Sequence, residues 1–245
     1  MATLRQRQII EGPYGELLIA PDTGGRSAPH FHTSFAIGVS WSGSGSLFAR
    51  GHNWTYSAEM VVVTNPYDPH WGRPGPGGVG YSLLYPSLAW LSSLDGLGEP
   101  KHFEMAVIDS PPLAARLGAA FDAVADSGEE CLLRAAIGEL FHRHAGLPAP
   151  AAPAIGSAAS DRIAGAAHQA GFSRSYYTRR FRKLTGLSPL DHRRQSRVMA
   201  ARSLIEAGAE LAEAAADAGF ADQAHMSRQF RQILGVTPAA YRPAG

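Results

Sequence analysis

The sequence predicts an α+β protein of two domains, with a β-rich N-terminal domain followed by two helices, and an all-α C-terminal domain. Three observations lead to this prediction. Residues 1–108 contain short β-prone segments, apolar residues recur at helical spacing from Pro111 onward, and residues 158–245 contain an internal repeat. Prolines at positions 148, 150 and 153 exclude a helix interior or a strand ladder, so residues 146–157 are predicted to be a linker.

The N-terminal region, residues 1–108, is expected to be a compact β domain. Its β-prone runs include Glu16–Ala20, Ala36–Trp41 and Glu59–Thr64, and clusters of Gly, Pro and Asn separate them. Many short strands with frequent turns are typical of a β-sandwich or a small β-barrel, and the residues alone leave both open.

Two amphipathic helices are predicted next, over residues 112–125 and 129–144, within a helical region that spans 109–145. Leu113, Leu117 and Phe121 fall at helical spacing in the first helix, and the second helix has an apolar series of its own. These apolar faces pack either on the β domain or on a second subunit. The region is therefore a candidate for dimerisation, and both interpretations stay open at this point.

Composition excludes several classes of protein. Hydrophobic residues make up 45% and charged residues 18% of the 245 residues, which is typical of a globular chain rather than a disordered one. No apolar run approaches the ~20 residues that span a bilayer, and no apolar stretch follows the N-terminus as in a signal peptide. The one cysteine, Cys131, excludes an internal disulfide and a cysteine-based zinc site. We therefore expect a cytoplasmic protein with no membrane partner.

Charge is unevenly distributed between the two parts of the chain. From Ala151 onward there are 13 Lys and Arg against 7 Asp and Glu, whereas the first 150 residues hold 9 against 14. Between Ser173 and Arg202 nine basic residues accompany a single acid, Asp191. This asymmetry predicts a polyanionic partner for the C-terminal domain alone.

The C-terminal region contains the same short pattern twice, at an offset of 48 residues. In each copy a pair of alanines ends at Ala167 or Ala215, four residues before a Gly-Phe pair that begins at Gly171 or Gly219. A small side chain suits the crossing of two short helices, and Gly takes the left-handed conformation after a helix at little cost. The pattern predicts two helix-turn-helix units, at about residues 163–184 and 211–234.

The second helix of each unit is predicted to begin at a capping residue. Ser173 occupies the N-cap position in the first unit. In the second unit Ala221 stands at that position, and Asp222 is placed to cap one residue later. Each unit then ends in a Gly-x-Ser/Thr-Pro sequence, which begins at Gly186 or Gly235.

Each second helix is expected to have one buried face and one exposed face. The buried faces are apolar or aromatic: Tyr177, Phe181 and Leu184 in the first unit, and Met226, Phe230 and Ile233 in the second. The exposed faces combine short polar side chains with arginines, which suit the base edges and phosphates of a DNA major groove. They are Ser175, Thr178, Arg179 and Arg182 in the first unit, and Ala224, His225, Ser227, Arg228 and Arg231 in the second.

A connecting helix is predicted from Asp191 to Ala207, because this segment contains no Gly or Pro before its end. At 1.5 Å per residue it is ~26 Å long. Recognition helices on one face of a duplex lie about 34 Å apart, which is one turn of DNA. A rigid connection can set that spacing, so the expected partner is double-stranded DNA.

These motifs resemble the AraC/XylS family of bacterial transcription regulators. The resemblance rests on the segments Gly171 to Pro189, Gly219 to Phe230 and Gly235 to Arg242, and it covers roughly residues 148–242. It implies an all-helical domain with two helix-turn-helix units joined by a long helix. It also implies binding at adjacent major-groove segments near promoters.

The resemblance also implies which residues face the bases. By position they are Ser175, Thr178 and Arg179 in the first unit, and Ala224, His225 and Arg228 in the second. Two departures from the family pattern occur in the second unit. Ala221 replaces a common capping Ser, and Ala224 offers a base only a methyl contact, which implies a weaker or less selective unit.

The N-terminal domain resembles the cupin-type sensor domain of many members of that family. The residues that carry this resemblance lie in Pro29–His32, Arg50–Gly51, Asn65–His70 and Gly80–Pro86. It implies a small cupin-like β-barrel whose interior binds a small-molecule effector or has lost that ability, followed by helices that dimerise. The expected protein is a homodimeric regulator, with RNA polymerase as a further partner if it activates transcription.

The expected effector pocket consists of histidines and aromatic residues: His30, His32, Trp41, Trp54, His70, Trp71 and Tyr81. The histidines also permit a different hypothesis, a metal-dependent cupin enzyme fused to a DNA-binding module. A His-x-His pair on one strand points both imidazoles to one face, and a third histidine completes a three-His metal site. Metal cupins usually add a carboxylate a few residues after the pair, but Phe35 and Ala36 occupy those places. We therefore expect no metal, no other cofactor and no enzymatic activity.

Overall fold

The computed structural model describes residues 8–23, 27, 29–147, 165, 167–168, 171–234 and 237–241. They belong to two compact units, Met1–Ala149 and Pro150–Gly245. The described part of the first unit is mostly β-sheet with helices after it, and that of the second is helical, which confirms the predicted α+β class. None of the helices in these residues is both long and apolar enough to cross a membrane.

An antiparallel sheet of seven strands forms the first unit. The strands of this unit are β1 (Gln8–Gly12), β2 (Gly15–Thr23), β3 (Ala36–Ala49), β4 (His52–Ser57), β5 (Val61–Thr64), β6 (His70–Pro86), β7 (His102–Phe103), β8 (Val107–Ile108) and β9 (Ala145–Leu147). The order across the large sheet is β1-β2-β6-β3-β5-β8, with β4 paired to β3, while β7 and β9 form a separate pair. Closure of the large sheet into a barrel stays a prediction.

The two longest strands, β3 and β6, pair with each other along most of their length. Their register shifts between Ser40 and Ser42 and again between Gly43 and Gly45, which bends both strands. At the second shift Gly43 has a φ of +71°, and a Cβ there would collide with the carbonyl oxygen of Gly78. The bend therefore depends on glycine, because any side chain at position 43 meets backbone.

Three helices pack on one face of the sheet: α1 (Leu88–Ser92), α2 (Pro111–Ser127) and α3 (Cys131–His144). The apolar stripes of α2 and α3 are at most 2% exposed, namely Leu113, Leu117, Phe121, Val124, Leu133, Ile137, Leu140 and Phe141. They share one core with Leu17, Ile37 and Val63 of the sheet. Of the two open interpretations, packing on the β domain of the same chain is therefore correct for these faces.

The predicted linker is wrong at its start. Gly146 and Leu147 belong to β9, which pairs antiparallel with β7 at His102–Leu147 and Phe103–Ala145. Because β9 follows α3 directly, its backbone stays paired within the first unit as far as Leu147. The rest of the predicted linker, residues 148–157, lies outside the described residues.

From residue 171 onward, the described helices of the second unit are α4 (Arg174–Thr185), α5 (Pro189–Glu206), α6 (Leu211–Asp217), α7 (Gln223–Leu234) and α8 (Pro238–Tyr241). Most of the predicted first helix of the first helix-turn-helix unit lies outside the described residues. The connecting helix α5 begins two residues before the prediction, because the Ser188 hydroxyl accepts a hydrogen bond from the Asp191 amide at 3.1 Å and Pro189 occupies the first turn. Its 18 residues correspond to about 27 Å.

The core of the second unit contains the small residues that the repeat predicts. Ala167 and Ala215 are each 1% exposed, and Gly171 and Gly219 have φ of +69° and +76°, which confirms their predicted roles. Met226 and Phe230 are fully buried as predicted. Tyr177, Phe181 and Ile233 are only half-buried, and the side chain of Leu184 lies outside what is described.

Candidate nucleic-acid interface and effector cavity

The second helix of each helix-turn-helix unit begins at a side chain that caps it. The Ser173 hydroxyl accepts a hydrogen bond from the Tyr176 amide at 3.3 Å, and the Asp222 carboxylate accepts one from the His225 amide at 2.6 Å. The two capping residues are 49 residues apart, whereas the preceding Ala and Gly positions of the two units are 48 residues apart. Ala221 is therefore an extra residue in the second turn, and the expectation that it weakens the unit by removing a cap is wrong.

An offset of 49 residues between the caps Ser173 and Asp222 makes the predicted DNA-facing residues equivalent in pairs. The pairs are Ser175 with Ala224, Thr178 with Ser227, Arg179 with Arg228, and Arg182 with Arg231. Of the nine predicted residues, Thr178, His225 and Ser227 are half-buried and the others are exposed. None is part of the core, so each helix presents the same kind of polar face.

The four arginines on these faces differ from other arginines of the second unit in their contacts. Arg179, Arg182, Arg228 and Arg231 form no ion pair and no side-chain hydrogen bond with any described residue. By contrast, Arg202 lies 2.9 Å from the Glu206 carboxylate and its guanidinium stands 5.1 Å from the Tyr241 ring. Arginines without an acidic partner are available to bind phosphates or guanine edges.

His225 has a contact that the sequence did not predict. Its ring stands edge-on to the ring of Phe220 at 5.4 Å, and Phe220 is 7% exposed. The corresponding contact in the first unit joins Phe172 and Tyr176 at 4.8 Å. His225 therefore supports the turn, in addition to any contact with a base.

A cavity of about 280 Å³ lies beside the large sheet of the first unit. Its walls come from alternate residues of the strands, because side chains in a strand point to opposite faces in turn. The alternation is clearest for Ala36, Gly38 and Ser40 in β3, Val62 and Thr64 in β5, and Val79, Tyr81, Leu83 and Tyr85 in β6. The intervening residues Ile37, Val61, Val63 and Leu84 are in the core shared with the helices.

Four of the seven predicted pocket residues line this cavity, namely His30, His32, His70 and Tyr81. Trp41 and Trp71 do not. Trp41 lies where the register of β3 shifts between Ser40 and Ser42, and Trp71 directly follows His70, which points into the cavity, and so faces the opposite way. Trp71 stacks on Phe48 at 3.9 Å instead.

Trp54 does not line the cavity either. It lies in β4, opposite Leu47 of β3, and packs against a small cluster that contains Leu47, Ala49 and Ala106. Its indole nitrogen donates a hydrogen bond to the carbonyl oxygen of Ala49 at 3.3 Å. Leu47 itself lines the cavity, whereas its cross-strand partner Trp54 does not.

Three histidines converge at the cavity. The backbones of His30 and His70 exchange two hydrogen bonds, at 3.0 and 2.8 Å, which sets their side chains on the same face. His32 follows two residues later, although the His-x-His segment is an isolated bridge and not the regular strand that was expected. One ring nitrogen from each histidine lies within 4.8 Å of the others, so these residues could hold a metal ion.

The surroundings of His70 keep its ring neutral. Its Nδ1 lies 2.8 Å from the carbonyl oxygen of Asp68, which can only accept, so Nδ1 carries the proton and Nε2 keeps a lone pair. Burial, together with the charges of His30 and Arg50, lowers the pKa of His70 to about 3. Asp68 is held in turn, because its carboxylate accepts a hydrogen bond from the Asn65 amide at 3.0 Å and lies 3.4 Å from Arg50.

Hydroxyl groups in the cavity add donors that the predicted pocket did not contain. Thr64 is 4% exposed, and its hydroxyl has no hydrogen-bond partner among the residues that the structure describes. Burial and the neighbouring Tyr81 raise the pKa of Tyr56, so its phenol stays protonated. Only the strand register would have revealed Thr64, because a single β-prone run does not say which of its faces meets the cavity.

Models of two known protein families match this chain. The model described as an AraC-like ligand binding domain matches residues 12–141, which is more than half of the chain. The model described as a helix-turn-helix domain matches residues 166–244. The two matches correspond to the sheet unit with the cavity and to the helical unit with the arginine-bearing faces.

Two curated relatives are similar over the C-terminal part. Proteins of Streptomyces lividans and Streptomyces antibioticus, both named as AraC-like transcription regulators, are 36% and 35% identical over 81 residues. The matched part is 33% of this chain but spans only 27% of the length of those relatives.

Two solved structures are also similar to this chain. ToxT from Vibrio cholerae with a bound unsaturated fatty acid is 14% identical, with a TM-score of 0.49 over 97% of this chain and 96% of that chain. The DNA-binding domain of the global transcriptional factor AdpA, in complex with a target DNA, is 38% identical, with a TM-score of 0.32 over 33% of this chain and 74% of that chain. Both TM-scores are below 0.5, so neither structure supports an inference about the ligands of this chain.

Proposed function

This chain belongs to the family of AraC-like transcription regulators, and from that premise we propose that it binds adjacent major-groove segments of one DNA duplex with α4 and α7. One observation carries the proposal. Four arginines without described acidic partners stand at equivalent positions on the exposed faces of these helices, Arg179 and Arg182 on one and Arg228 and Arg231 on the other. Two basic faces of the same kind, on α4 and α7 of the second unit, suit a polyanion with a regular repeat better than a single small ligand.

The chemistry of each face divides between affinity and specificity. Arginines that contact phosphates release counterions and supply affinity for any sequence. Arginines that reach guanine, and Ser175, Thr178 and Ser227 beside them, supply hydrogen bonds to base edges. Ala224 can contact a thymine methyl group but offers no hydrogen bond, so the second face selects fewer bases than the first.

The test begins with duplexes that the full-length protein selects from a randomised pool. Arg179→Ala and Arg228→Ala are each expected to weaken binding to the selected duplex by about 5- to 150-fold, which corresponds to about 1–3 kcal/mol. Arg143→Ala, which removes the same charge from an exposed site on α3, is the matched control and leaves affinity unchanged. Affinities equal to that of the unmodified protein in both Arg179→Ala and Arg228→Ala would contradict the proposal.

The first unit is proposed to bind a small-molecule effector in its cavity. Support comes from its match to an AraC-like ligand-binding domain and from a largely apolar lining with a few polar groups, which is typical of ligand sites. The effector regulates DNA binding by having a higher affinity for one arrangement of the protein than for another. The activity is proposed to be regulatory and not enzymatic, because both family models that match the chain are those of regulator domains.

A cytoplasmic homodimer is the proposed form of the protein, with RNA polymerase as a partner if it activates transcription. The buried stripes of α2 and α3 cannot form the dimer interface, so it requires exposed residues such as Leu132, which is 52% exposed on α3. Sedimentation of the full-length protein and of Leu132→Glu tests this part. A dimer that Leu132→Glu dissociates supports it, and a monomer at all concentrations contradicts it.

A further inference from the structure

We propose that His30, His32 and His70 bind one divalent late first-row metal ion, and that this ion binds the oxygen head group of an apolar, anionic effector in the adjacent cavity. The metal site stands on the geometry of the three histidines alone. The second part rests on the proposed effector function of the first unit. Imidazole nitrogens suit ions such as Zn²⁺, Ni²⁺ and Co²⁺.

The positions of the three imidazoles are set by the backbone. The paired backbones of His30 and His70 hold two of the rings at 4.5 Å between centroids, and the His32 ring lies 4.8 and 5.2 Å from those of His30 and His70. Nitrogens around a tetrahedral zinc ion are ~3.4 Å apart, since each lies ~2.0–2.1 Å from the metal. The ligand nitrogens, which lie within 4.8 Å of one another, therefore need to approach by at most about 1.4 Å, which side-chain rotation can supply.

The residues around His70 are arranged as they are around metal-bound histidines. Such a histidine usually donates its second ring N–H to a carbonyl or carboxylate, which fixes the ring and leaves the other nitrogen free to bind the metal. His70 does this with the Asp68 carbonyl oxygen. Asn65 and Arg50 hold the Asp68 side chain, and Asn65 also bonds to the backbone of Phe103, so the support continues into the neighbouring strand β7.

The cavity determines what the metal can bind. Three protein ligands leave a coordination position open on a four-coordinate ion, and all three histidines line the cavity. The rest of the wall is apolar or neutral, with Val39, Leu47, Val79 and Leu83 among its residues, and no described lining residue carries a permanent charge. An anionic head group buried here needs a compensating charge, and the metal ion supplies it.

Two further features suit such a ligand. The buried Thr64 hydroxyl has no partner among the described residues, and a buried polar group of this kind requires an explanation, for which a ligand atom is a direct candidate. The cavity of about 280 Å³ is at the lower end of the usual range for ligand sites, so the apolar body is small. A compact aromatic or aliphatic carboxylate has this combination of features.

The first experiment measures metal binding directly. Untagged full-length protein is stripped with a chelator and titrated calorimetrically with Zn²⁺, and cobalt is added separately to record its visible absorption. We expect one ion per chain, an intense cobalt spectrum of tetrahedral type, and at least about 100-fold weaker zinc binding in His30→Ala and His32→Ala. His142→Ala, at an exposed histidine of α3, is the matched control and is expected to bind zinc as the unmodified protein does.

Two results would overturn the metal site. They are zinc binding at well below one ion per chain, and unchanged affinity in both His30→Ala and His32→Ala. The cobalt spectrum of the unmodified protein keeps the test independent of the variants, since it requires no substitution that could disturb folding. An octahedral, weakly absorbing spectrum would contradict the four-coordinate ion with one open position, since three further ligands would then complete the coordination.

The second experiment tests the ligand class with two matched probes, benzoate and benzyl alcohol. Benzoate is expected to shift the absorption of the cobalt-loaded protein saturably, and to bind the metal-free protein at least about tenfold more weakly. Benzyl alcohol is expected to leave the spectrum unchanged. Equal binding of benzoate with and without metal, or no spectral shift at all, would overturn the effector part.

DNA binding by the same preparations separates this inference from the proposed function. A protein that binds zinc but selects no duplex contradicts the proposed DNA recognition and leaves the metal site standing. A protein that binds its selected duplex but holds no metal contradicts the metal site alone.

Discussion

Replacement of Asp222 by Ala tests the reassigned turn of the second helix-turn-helix unit. The Asp222 carboxylate accepts a hydrogen bond from the His225 amide at 2.6 Å, and without it one donor at the start of α7 loses its partner. Loss of an N-cap costs ~1 kcal/mol, and loss of a negative charge at a helix N-terminus costs ~0.3–1 kcal/mol more. We therefore expect Asp222→Ala to lower the free energy of unfolding of the second unit by about 1.5 kcal/mol.

Two variants at neighbouring positions make the test specific. Ser173→Ala removes the neutral and longer cap of the first unit, at 3.3 Å, and is expected to cost about 0.5–1 kcal/mol. Ala221→Ser places a hydroxyl where the structure has no cap, so its effect is expected within about 0.5 kcal/mol. The three variants therefore rank Asp222→Ala, Ser173→Ala and Ala221→Ser in order of decreasing destabilisation.

Scanning calorimetry of the full-length protein measures these differences, because the two compact units can unfold in separate transitions. For a domain of this size 1 kcal/mol corresponds to about 4–8 °C in Tm, so Asp222→Ala lowers the transition of the second unit by about 6–12 °C. A clear stabilisation by Ala221→Ser together with no loss in Asp222→Ala would refute the reasoning. The cap would then lie at position 221, and the pairing of Arg179 with Arg228 would lose its basis.

Three further predictions follow from particular contacts. If Arg182 and Arg231 each neutralise one phosphate, Arg182→Ala and Arg231→Ala are each expected to reduce the slope of log DNA affinity against log salt concentration by about 1. An unchanged slope in both variants would exclude phosphate contact. Phe230→Ala is expected to lower the free energy of unfolding by about 3–5 kcal/mol, because Phe230 is fully buried. Phe172→Ala is expected to lower it by less, because Phe172 is 38% exposed. Equal losses in denaturant titrations would contradict this difference. Burial lowers the pKa of His192 below its ordinary 6.5, so the unfolded chain binds a proton that the folded chain does not, and stability falls as the pH drops below about 6.5. His192→Gln is expected to reduce that acid sensitivity, and identical pH profiles of Tm would contradict it.

The helical unit could be predicted in detail because its signals are local. Gly171, Gly219, Ser173 and the Ser188-Pro189 pair each specify a helix end through their own conformational or capping preference. The one-residue difference in the turns was visible as the choice between Ala221 and Asp222, but only the hydrogen bond to the His225 amide decided it.

The sheet unit was predicted less well because its geometry depends on pairing between distant strands. Strand β6 contains Pro74 and Pro76 among several glycines, a composition typical of a loop, yet it pairs with β3 across a register shift. Local propensity cannot predict this pairing, because the register comes from β3 and the bend at Gly43.

The same dependence explains which of the predicted pocket residues line the cavity and which do not. His70 and Trp71 are adjacent, and alternation along β6 sends one into the cavity and the other away from it. The sequence predicted histidines and an aromatic residue that do line the cavity, but it could not choose between neighbours. Thr64, whose type carries no strong functional signal, needed the register for the same reason.

Interference mapping on a selected duplex tests the central claim most directly, since methylation of guanine N7 blocks contacts in the major groove. The unmodified protein is expected to show two sensitive segments, centred about 10–10.5 base pairs apart on one face of the duplex. Arg179→Ala is expected to remove sensitivity in one segment and Arg228→Ala in the other. A single sensitive segment, or loss of the same segment in both variants, would contradict recognition by two equivalent helices.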